Sequence, residues 1–255
     1  MSEYVRNSHC ECKDYIDIDQ MDIKSRVSSN KYWQNGYICE NGKSHECTCH
    51  KKFRLKGRYE RLAEEFNLPS YEELKQQEFI GDNTEFLKLK KLPKLVEDKQ
   101  LRNVVCFVHG AEQHQKTTSA AKVIFSLVTD GHSVNYINFI DLIEKLNNKE
   151  PIEALDWLII DDCFADSTTS FKTPYNAFYN MILKRSKPTI LISDFEREDI
   201  LSRKDRPYYN LNLMTKLFNK IDQYNTDLPF TQSVNNEENQ LLSQGKNGKI
   251  DIWSL

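Results

Sequence analysis

The sequence contains no long hydrophobic run, and this absence argues against a helical membrane protein. No apolar run approaches the roughly 18 to 20 residues that a helix needs to cross a bilayer. The first twelve residues also lack the apolar central region of a secretory signal. We therefore expect a cytoplasmic protein without a membrane partner.

The sequence also lacks a concentrated block of one charge. Its formal net charge is -3, and lysine and arginine are spread along most of its 255 residues. Binding to nucleic acid can therefore be argued only from motifs. Hydrophobic residues make up 39% of the chain, which is typical of globular proteins, and the length suffices for one ordinary domain and a smaller one.

Cysteine is unevenly distributed. Of seven cysteines, five lie within the first fifty residues, whereas Cys106 and Cys163 lie in apolar runs where core positions are expected. In a reducing cytoplasm such a cluster indicates a metal site before it indicates disulfides. The segment has little hydrophobic periodicity, and a metal ion would supply the folding energy that a core does not.

The cluster predicts a four-ligand Zn²⁺ site, because zinc in structural sites prefers four sulfur or nitrogen ligands. The favoured ligands form two Cys-x-Cys pairs, and Cys39 is the alternative for one of them; the five candidates are Cys10, Cys12, Cys39, Cys47 and Cys49. Two Cys-x-Cys pairs are less specific than the usual Cys-x2-Cys spacing, and free cysteines are the alternative interpretation.

From about residue 103 onward, short apolar runs alternate with amphipathic patterns, which indicates an α/β fold with a parallel sheet covered by helices. The predicted strands are 104–108, 134–139, 157–160 and 189–192. The predicted helices are 117–129, 141–146, 174–184 and 211–222. The predicted domains are a zinc-binding domain at 1–75, a linker at 76–102, the α/β domain at 103–224 and a polar tail at 225–255.

A phosphate-binding loop is predicted after the first of these strands. The pattern G-x-x-x-x-G-K-[ST] is matched by Gly110, Lys116 and Thr117, with Gln115 in the place of the second glycine. In such loops, backbone N–H groups and a helix N-terminus hold phosphates, the lysine reaches the outer phosphates, and the hydroxyl binds Mg²⁺. Thr118 follows as a further candidate contact. An ordinary strand-loop-helix turn is the alternative.

Carboxylates follow the next two apolar runs of this type. Asp161 and Asp162 end the run at 157–160, where they are candidates for holding the water shell of Mg²⁺ and for orienting an attacking water. Asp194 follows the run at 189–192 and is a candidate polar sensor of the terminal phosphate. A solvated turn or a helix cap is the alternative for the adjacent aspartates.

These motifs resemble the DnaC/DnaI-type replicative helicase loaders and the related IstB-type transposition helpers. The resemblance rests on residues 105–110, 116–118, 134–143, 158–162 and 190–194, and on residues 36–38 and 47–49 of the zinc-bearing part, and covers roughly residues 10 to 222. The zinc-bearing part resembles especially that of phage-encoded loaders, and a phage-encoded protein would act in the cytoplasm of a bacterial host.

The resemblance implies an AAA+ P-loop ATPase that binds ATP and Mg²⁺ and assembles with itself on single-stranded DNA. It also implies that the zinc module contacts a DnaB-type helicase. The basic stretch at 51–58 suits phosphate contacts, and a solvated helix start explains that stretch equally well.

Three departures from the family pattern put hydrolysis of ATP in doubt. Gln115 replaces a glycine, and Asp194 stands where the family usually has asparagine. The segment that should carry a trans-acting arginine offers only Lys216, and a lysine is a point charge rather than a bidentate donor. The substitutes lie upstream, at Arg197, Arg203 and Arg206. The hypotheses are a helicase loader, a transposition helper that binds duplex DNA, and an interaction protein that has lost turnover.

Overall fold

The computed structural model describes residues 10–22, 24, 30–76, 84–110, 116–165 and 172–229. The chain divides into two compact units, Met1–Leu62 and Ala63–Leu255. The longest helix, α1 (Thr48–Phe66), runs through this division. Each unit is described by itself below.

The first unit contains a three-stranded antiparallel sheet in the order β1-β2-β3, formed by Lys31–Gln34, Tyr37–Glu40 and Lys43–Glu46. Short 3-10 turns precede it at Glu11–Asp14 and Ile18–Gln20. A single residue, Cys47, separates β3 from the start of α1. The described residues of this unit therefore form one small sheet, two 3-10 turns and the first part of a helix.

Two Asn-Gly pairs connect the strands of this sheet. Asn35 and Gly36 lie at φ values of 47° and 87°, and Asn41 and Gly42 at 52° and 77°. Both central residues of a two-residue hairpin loop have positive φ in the type I′ turn, whose twist matches that of the flanking strands. The two turns therefore fix the register of all three strands.

A small hydrophobic cluster lies in the described part of the first unit. It contains Trp33, Ile38 and the cysteines at 10, 12 and 47, with Tyr15 and Cys49 packed against them. Leu55 and Tyr59 of α1 are buried as well. Most of this cluster is sulfur-bearing, and hydrophobic burial of so few side chains is a weak source of stability.

The second unit begins with the helices α2 (Tyr71–Gln76) and α3 (Thr84–Asp98), both of which contact α4 (Lys116–Thr129). Its sheet has five parallel strands in the order β5-β6-β7-β4-β8. The strands are β4 (Val105–His109), β5 (Val134–Asn138), β6 (Trp157–Asp161), β7 (Thr189–Ser193) and β8 (Asp227–Pro229). The remaining helices are α5 (Phe139–Asn147), α6 (Lys172–Lys184), α7 (Arg197–Ser202) and α8 (Leu211–Gln223).

Every residue of β4, β6 and β7 is buried. Strands buried on both faces belong to a parallel sheet covered by helices, which explains why these runs are continuously apolar. On one face, alternate strand residues meet α5, α6 and α8 in an aromatic-rich core that includes Phe107, Phe139, Phe164 and Phe178. The predicted α/β fold is confirmed.

The four predicted strands and four predicted helices of this unit are all present, with bounds within two residues of those expected. Other described elements were not predicted. They include the hairpins of the first unit, the helices α2, α3 and α7, and β8, which pairs with β4 within the stretch expected to be a polar tail. Residues 230–255, with the apolar cluster Ile250, Ile252 and Trp253, lie outside the described residues.

Among the described residues, no helix combines the length and the apolar character that a bilayer crossing requires.

Substituting the glycine of the first Asn-Gly turn should destabilise the first unit more than the same change in the second turn. A Cβ at Gly36 would lie 2.2 Å from Cγ of His50, whereas one at Gly42 meets nothing within 4 Å. Both positions have positive φ, so Gly42→Ala should cost about 1–2 kcal/mol from backbone strain alone. Gly36→Ala should cost at least about 1 kcal/mol more, because the His50 ring must leave its hydrogen bond to Glu46.

Hydrogen exchange of peptides that span residues 31–46, measured for the two full-length variants side by side, gives the comparison. Equal losses of protection in Gly36→Ala and Gly42→Ala would show that the His50 contact is unimportant.

Candidate functional site

Four cysteines come together in the first unit. The Sγ atoms of Cys10, Cys12, Cys47 and Cys49 all lie within 4.8 Å of one another. The first pair flanks the start of the 3-10 turn Glu11–Asp14, and the second pair joins the end of β3 to the first turn of α1. Residues 37 positions apart in the chain are thus brought into one cluster, with Cys12 Sγ lying 3.4 Å from Cys49 Sγ.

The dimensions of the cluster fit a zinc ion. Zinc binds thiolate sulfur at about 2.3 Å, so the sulfurs of a tetrahedral site lie about 3.8 Å apart. The observed Sγ distances of 3.3 Å for Cys47–Cys49 and 3.4 Å for Cys12–Cys49 are close to this value. Four cysteines can fill all four positions of a tetrahedral zinc ion. Such a donor set is typical of a structural zinc site, whereas a catalytic site keeps one position open.

The electrostatics of the cluster favour a cation. Burial acts to raise the pKa of the Cys10 thiol, but hydrogen bonds from the Cys12 backbone and the Thr48 hydroxyl outweigh it and lower the pKa to about 6. Burial, followed by the neighbouring sulfurs of Cys49 and Cys10, raises the pKa of Cys12 to about 12. The Cys10 thiolate therefore forms readily, and its negative charge opposes deprotonation of Cys12. A bound cation would remove this repulsion, because it stabilises all four thiolates.

Cys39, the alternative ligand, does not belong to this cluster. It lies in the middle of β2, opposite Tyr32 and Ser44 on the neighbouring strands. The preceding residue, Ile38, is buried in the cysteine-rich core, so Cys39 points to the opposite face of the sheet. Of the histidines near the cluster in sequence, His50 bonds to Glu46, His45 is exposed, and His9 lies outside the described residues.

The second site lies at the carboxyl edge of the parallel sheet. Because β7 lies between β4 and β6, the residues that follow these three strands meet at one edge. Gly110 follows β4 with a φ of 142°, a conformation that favours glycine. Lys116 and Thr117 begin α4, and Thr118 follows in its first turn, half-buried. Gln115 lies outside the described residues.

Lys116 is buried and held from two sides. Its Nζ donates to the carbonyl oxygen of Gly110 at 2.7 Å and forms an ion pair with Asp194 Oδ1, also at 2.7 Å. The predicted loop lysine and the predicted sensor residue are therefore in direct contact.

Asp161 accepts two hydroxyl hydrogen bonds on a single oxygen. Thr117 Oγ1 donates to Asp161 Oδ2 at 2.9 Å, and the Tyr136 hydroxyl donates to the same atom at 2.5 Å. Burial, followed by the neighbouring charge of Asp161, raises the pKa of Tyr136 far above its usual value, so its hydroxyl stays protonated as a donor. The predicted hydroxyl and carboxylate are thus joined directly.

Asp162 lies in a sharp turn after β6, with a φ of 54°. Its backbone N–H donates to Asp161 Oδ1, and its carboxylate accepts from Asn138 Nδ2 at 2.7 Å. Burial, followed by the charge of Asp161, raises the pKa of the Asp162 carboxyl. The two adjacent aspartates are therefore held in different directions by different partners.

The sequence interpretation missed Tyr136 and Asn138. Both lie on the face of β5 that carries Asp161 on the neighbouring strand, where Asn138 is the direct partner of Asp161 in the register. Polar groups occur at 135, 136 and 138 of this strand, so the sequence pattern did not single out these two residues, whose contacts depend on the pairing of β5 with β6.

The candidate arginines are engaged within their own unit. Arg197 forms an ion pair with Asp222 at 3.1 Å and lies over the ring of Phe218. The guanidinium of Arg203 stacks on Phe195, 3.6 Å from the ring centroid. Arg206 approaches Asp205 at 3.9 Å, and Lys216 is exposed on α8.

No family model matches the chain, and neither does any curated protein. Among solved structures, the chain is similar to a protein from Streptococcus pyogenes serotype M3 assigned as a primosome component, with 14% identity, a TM-score of 0.45, and coverage of 61% of this chain and 84% of that one. It is also similar to DnaI, with 13% identity, a TM-score of 0.39, and coverage of 86% and 89%.

The purified protein should carry about one zinc ion per chain, held by the four clustered cysteines. Cys12→Ser and Cys47→Ser should each lose the ion, since a hydroxyl is a poor zinc ligand. Cys39→Ser, the matched control from the other face of the sheet, should keep it. Elemental analysis of gel-filtered protein gives the zinc content, and zinc lost from Cys39→Ser but retained in Cys12→Ser would contradict the assignment.

Removing the hydroxyl of Tyr136 should destabilise the second unit more than removing that of Tyr179. Both tyrosines are buried, but Tyr136 donates to a carboxylate, whereas Tyr179 donates to the carbonyl oxygen of Tyr208 at 3.0 Å. A hydrogen bond to a charged group is worth about 1.5–3 kcal/mol and a neutral one about 0.5–1.5 kcal/mol.

Urea denaturation of Tyr136→Phe and Tyr179→Phe, followed by circular dichroism, measures the two changes in the free energy of unfolding. A smaller cost for Tyr136→Phe would mean that Asp161 does not depend on this contact.

Proposed function

We propose that the protein is a helicase loader that uses ATP binding to place a DnaB-type replicative helicase on single-stranded DNA. The observation that carries the proposal is the joining of Lys116, Thr117, Asp161 and Asp194 by direct contacts at the edge of the parallel sheet. An ordinary turn after a strand has no need of a buried lysine opposite two carboxylate-bearing strand ends. The sequence resemblance to DnaC/DnaI-type loaders supports the same conclusion.

The roles of the chain's own residues follow from their chemistry. Lys116 would bind the outer phosphates of ATP, with backbone groups of the loop that contains Gly110 and Gln115 and with Thr118 as neighbouring contacts. Thr117 would offer its hydroxyl to Mg²⁺, and Asp161 would hold the water shell of that ion. Asp162, anchored by Asn138, would orient an attacking water. Mg²⁺ supplies charge neutralisation of the phosphates when it is bound.

The zinc-compatible unit would provide the contact with the helicase. Its four-cysteine cluster gives a small segment a rigid shape without a large core, which is what a docking module needs. The basic residues of α1 between 51 and 58, none of which is buried, would add phosphate contacts with DNA. Self-assembly of the α/β unit on the strand would complete the loader, which would act in the cytoplasm.

A second candidate is a nucleotide-binding interaction protein with little turnover. Two observations favour it: Arg197 and Arg203 are engaged within their own unit, and Lys116 is paired with Asp194. An arginine supplied by a neighbouring subunit is worth a factor of about 10³ or more in phosphoryl transfer. A chain with no available arginine would bind ATP and hydrolyse it slowly.

The proposal predicts an ATP-dependent complex with the helicase on DNA. Wild-type protein mixed with the replicative helicase of its host, single-stranded DNA and Mg²⁺-ATP should co-purify with both. Lys116→Ala should reduce ATP affinity by about tenfold or more, because it removes the cation that faces the phosphates. It should still capture the helicase, since the zinc-compatible unit is unchanged.

Lys145→Ala, which removes an exposed lysine from α5, serves as the control for a lost positive charge. Retention of duplex DNA instead of helicase would favour the transposition helper, and capture of helicase without any effect of ATP would favour the interaction protein. Absence of both helicase binding and ATP binding would rule out the loader.

A further inference from the structure

The pairing of Lys116 with Asp194 suggests a second role for this aspartate. Lys116 is 5% exposed and its Nζ lies 2.7 Å from Asp194 Oδ1, while the side chain of Asp194 is 42% exposed. The carboxylate therefore reaches from the solvent side of the edge to a buried ammonium group. It takes up a contact of the ammonium group that an anionic ligand would otherwise make.

The position of Asp194 is fixed by its neighbours. The preceding Ser193 ends β7, and its hydroxyl donates to the carbonyl oxygen of Cys163 at 2.8 Å. The same Ser193 oxygen accepts from the backbone N–H of Phe195 at 3.1 Å. The backbone of Asp194 is thus held between two anchored residues, so its carboxylate stays near Lys116 even when a change of rotamer breaks the ion pair.

A fixed carboxylate at this place has an electrostatic cost for a bound triphosphate. Asp161 and Asp162 already place negative charge at the neighbouring strand end, and Asp194 adds a third carboxylate. A terminal phosphate must displace Asp194 from Lys116 and then remain close to a like charge. Like charges a few ångströms apart in a partly buried site repel strongly. Asparagine at this position would impose neither effect.

We propose that Asp194 is a specificity-determining residue that competes with the terminal phosphate for Lys116 and thereby weakens binding of ATP relative to ADP. This inference rests on the proposed function, because it concerns the same nucleotide site. In the nucleotide-free protein, Asp194 competes by forming the ion pair with Lys116. In the ATP-bound protein, its carboxylate repels the terminal phosphate. The chain would then favour ATP less than a chain with asparagine at this position does.

The opposite role is also physically reasonable and makes the opposite prediction. If Asp194 served only to orient Lys116 for the ligand, its removal would weaken binding of both nucleotides. The two roles therefore differ in the sign of the change in affinity.

Isothermal titration of the full-length chain with Mg²⁺-ATP and Mg²⁺-ADP tests the proposal. Asp194→Asn and Asp194→Ala should each tighten ATP binding by about tenfold or more and tighten ADP binding by a smaller factor. The alanine variant is included because it removes the charge without adding an amide donor. The gain should shrink as the salt concentration rises, since screening weakens the repulsion.

Asp199→Asn is the matched control, because it removes an exposed carboxylate from the first turn of α7, only five positions along the chain. It should bind both nucleotides as the wild type does. Thermal unfolding of all variants checks that the fold is retained.

Unchanged or weaker ATP binding in both Asp194 variants would overturn the inference and leave the proposed function intact. A gain in Asp194→Asn alone would also overturn it, since the added amide donor would then be the cause. Absence of ATP binding from the wild type and from every variant would overturn the proposed function itself.

Discussion

Parallel pairing of three buried strands is the constraint on which the second unit depends. The pairing of β4 with β7 and of β7 with β6 places their carboxyl ends side by side. Asp161 at the end of β6 and Asp194 after β7 thereby come to the same edge as Lys116, which begins the helix after β4. None of these polar groups lies close to another in the sequence. Hydrophobic burial of the strands therefore brings Lys116, Asp161 and Asp194 together. The chemistry of the site is a consequence of how the apolar runs pair.

The first unit differs from the second in that its sheet has few apolar side chains to bury. Two Asn-Gly turns set the register of its sheet, and four sulfurs take the place of a larger core. A ligand set of this kind concentrates stability in a few bonds instead of spreading it over many contacts. If the cluster holds zinc, we expect the first unit to be destabilised by chelation or thiol oxidation, and the second by loss of packed hydrophobic surface.

The sequence allowed the strands, the helices and the principal residues of the second unit to be predicted, because its apolar runs are long and its motif residues stand at fixed spacings. It also allowed the four clustered cysteines to be preferred over Cys39. The hairpins were missed although the Asn-Gly signal at 35–36 and 41–42 is strong, since the strands around it are short and polar. Tyr136 and the pairing of Lys116 with Asp194 could not be read from the chain, because both depend on strand order. The order of the strands in the sheet is set by contacts between residues that are far apart in the sequence.

The interior position of β4 in the sheet constrains the phosphate-binding loop. This strand is paired on both sides, with β7 and β8, so Gly110 at its end is fixed in space. Lys116 begins a helix that buries eight of its residues, so the other end of the loop is fixed as well. A strand held by two ladders cannot slide to absorb an inserted or deleted residue. Any inserted or deleted residue between Gly110 and Lys116 must therefore be accommodated by the loop itself, between two fixed ends.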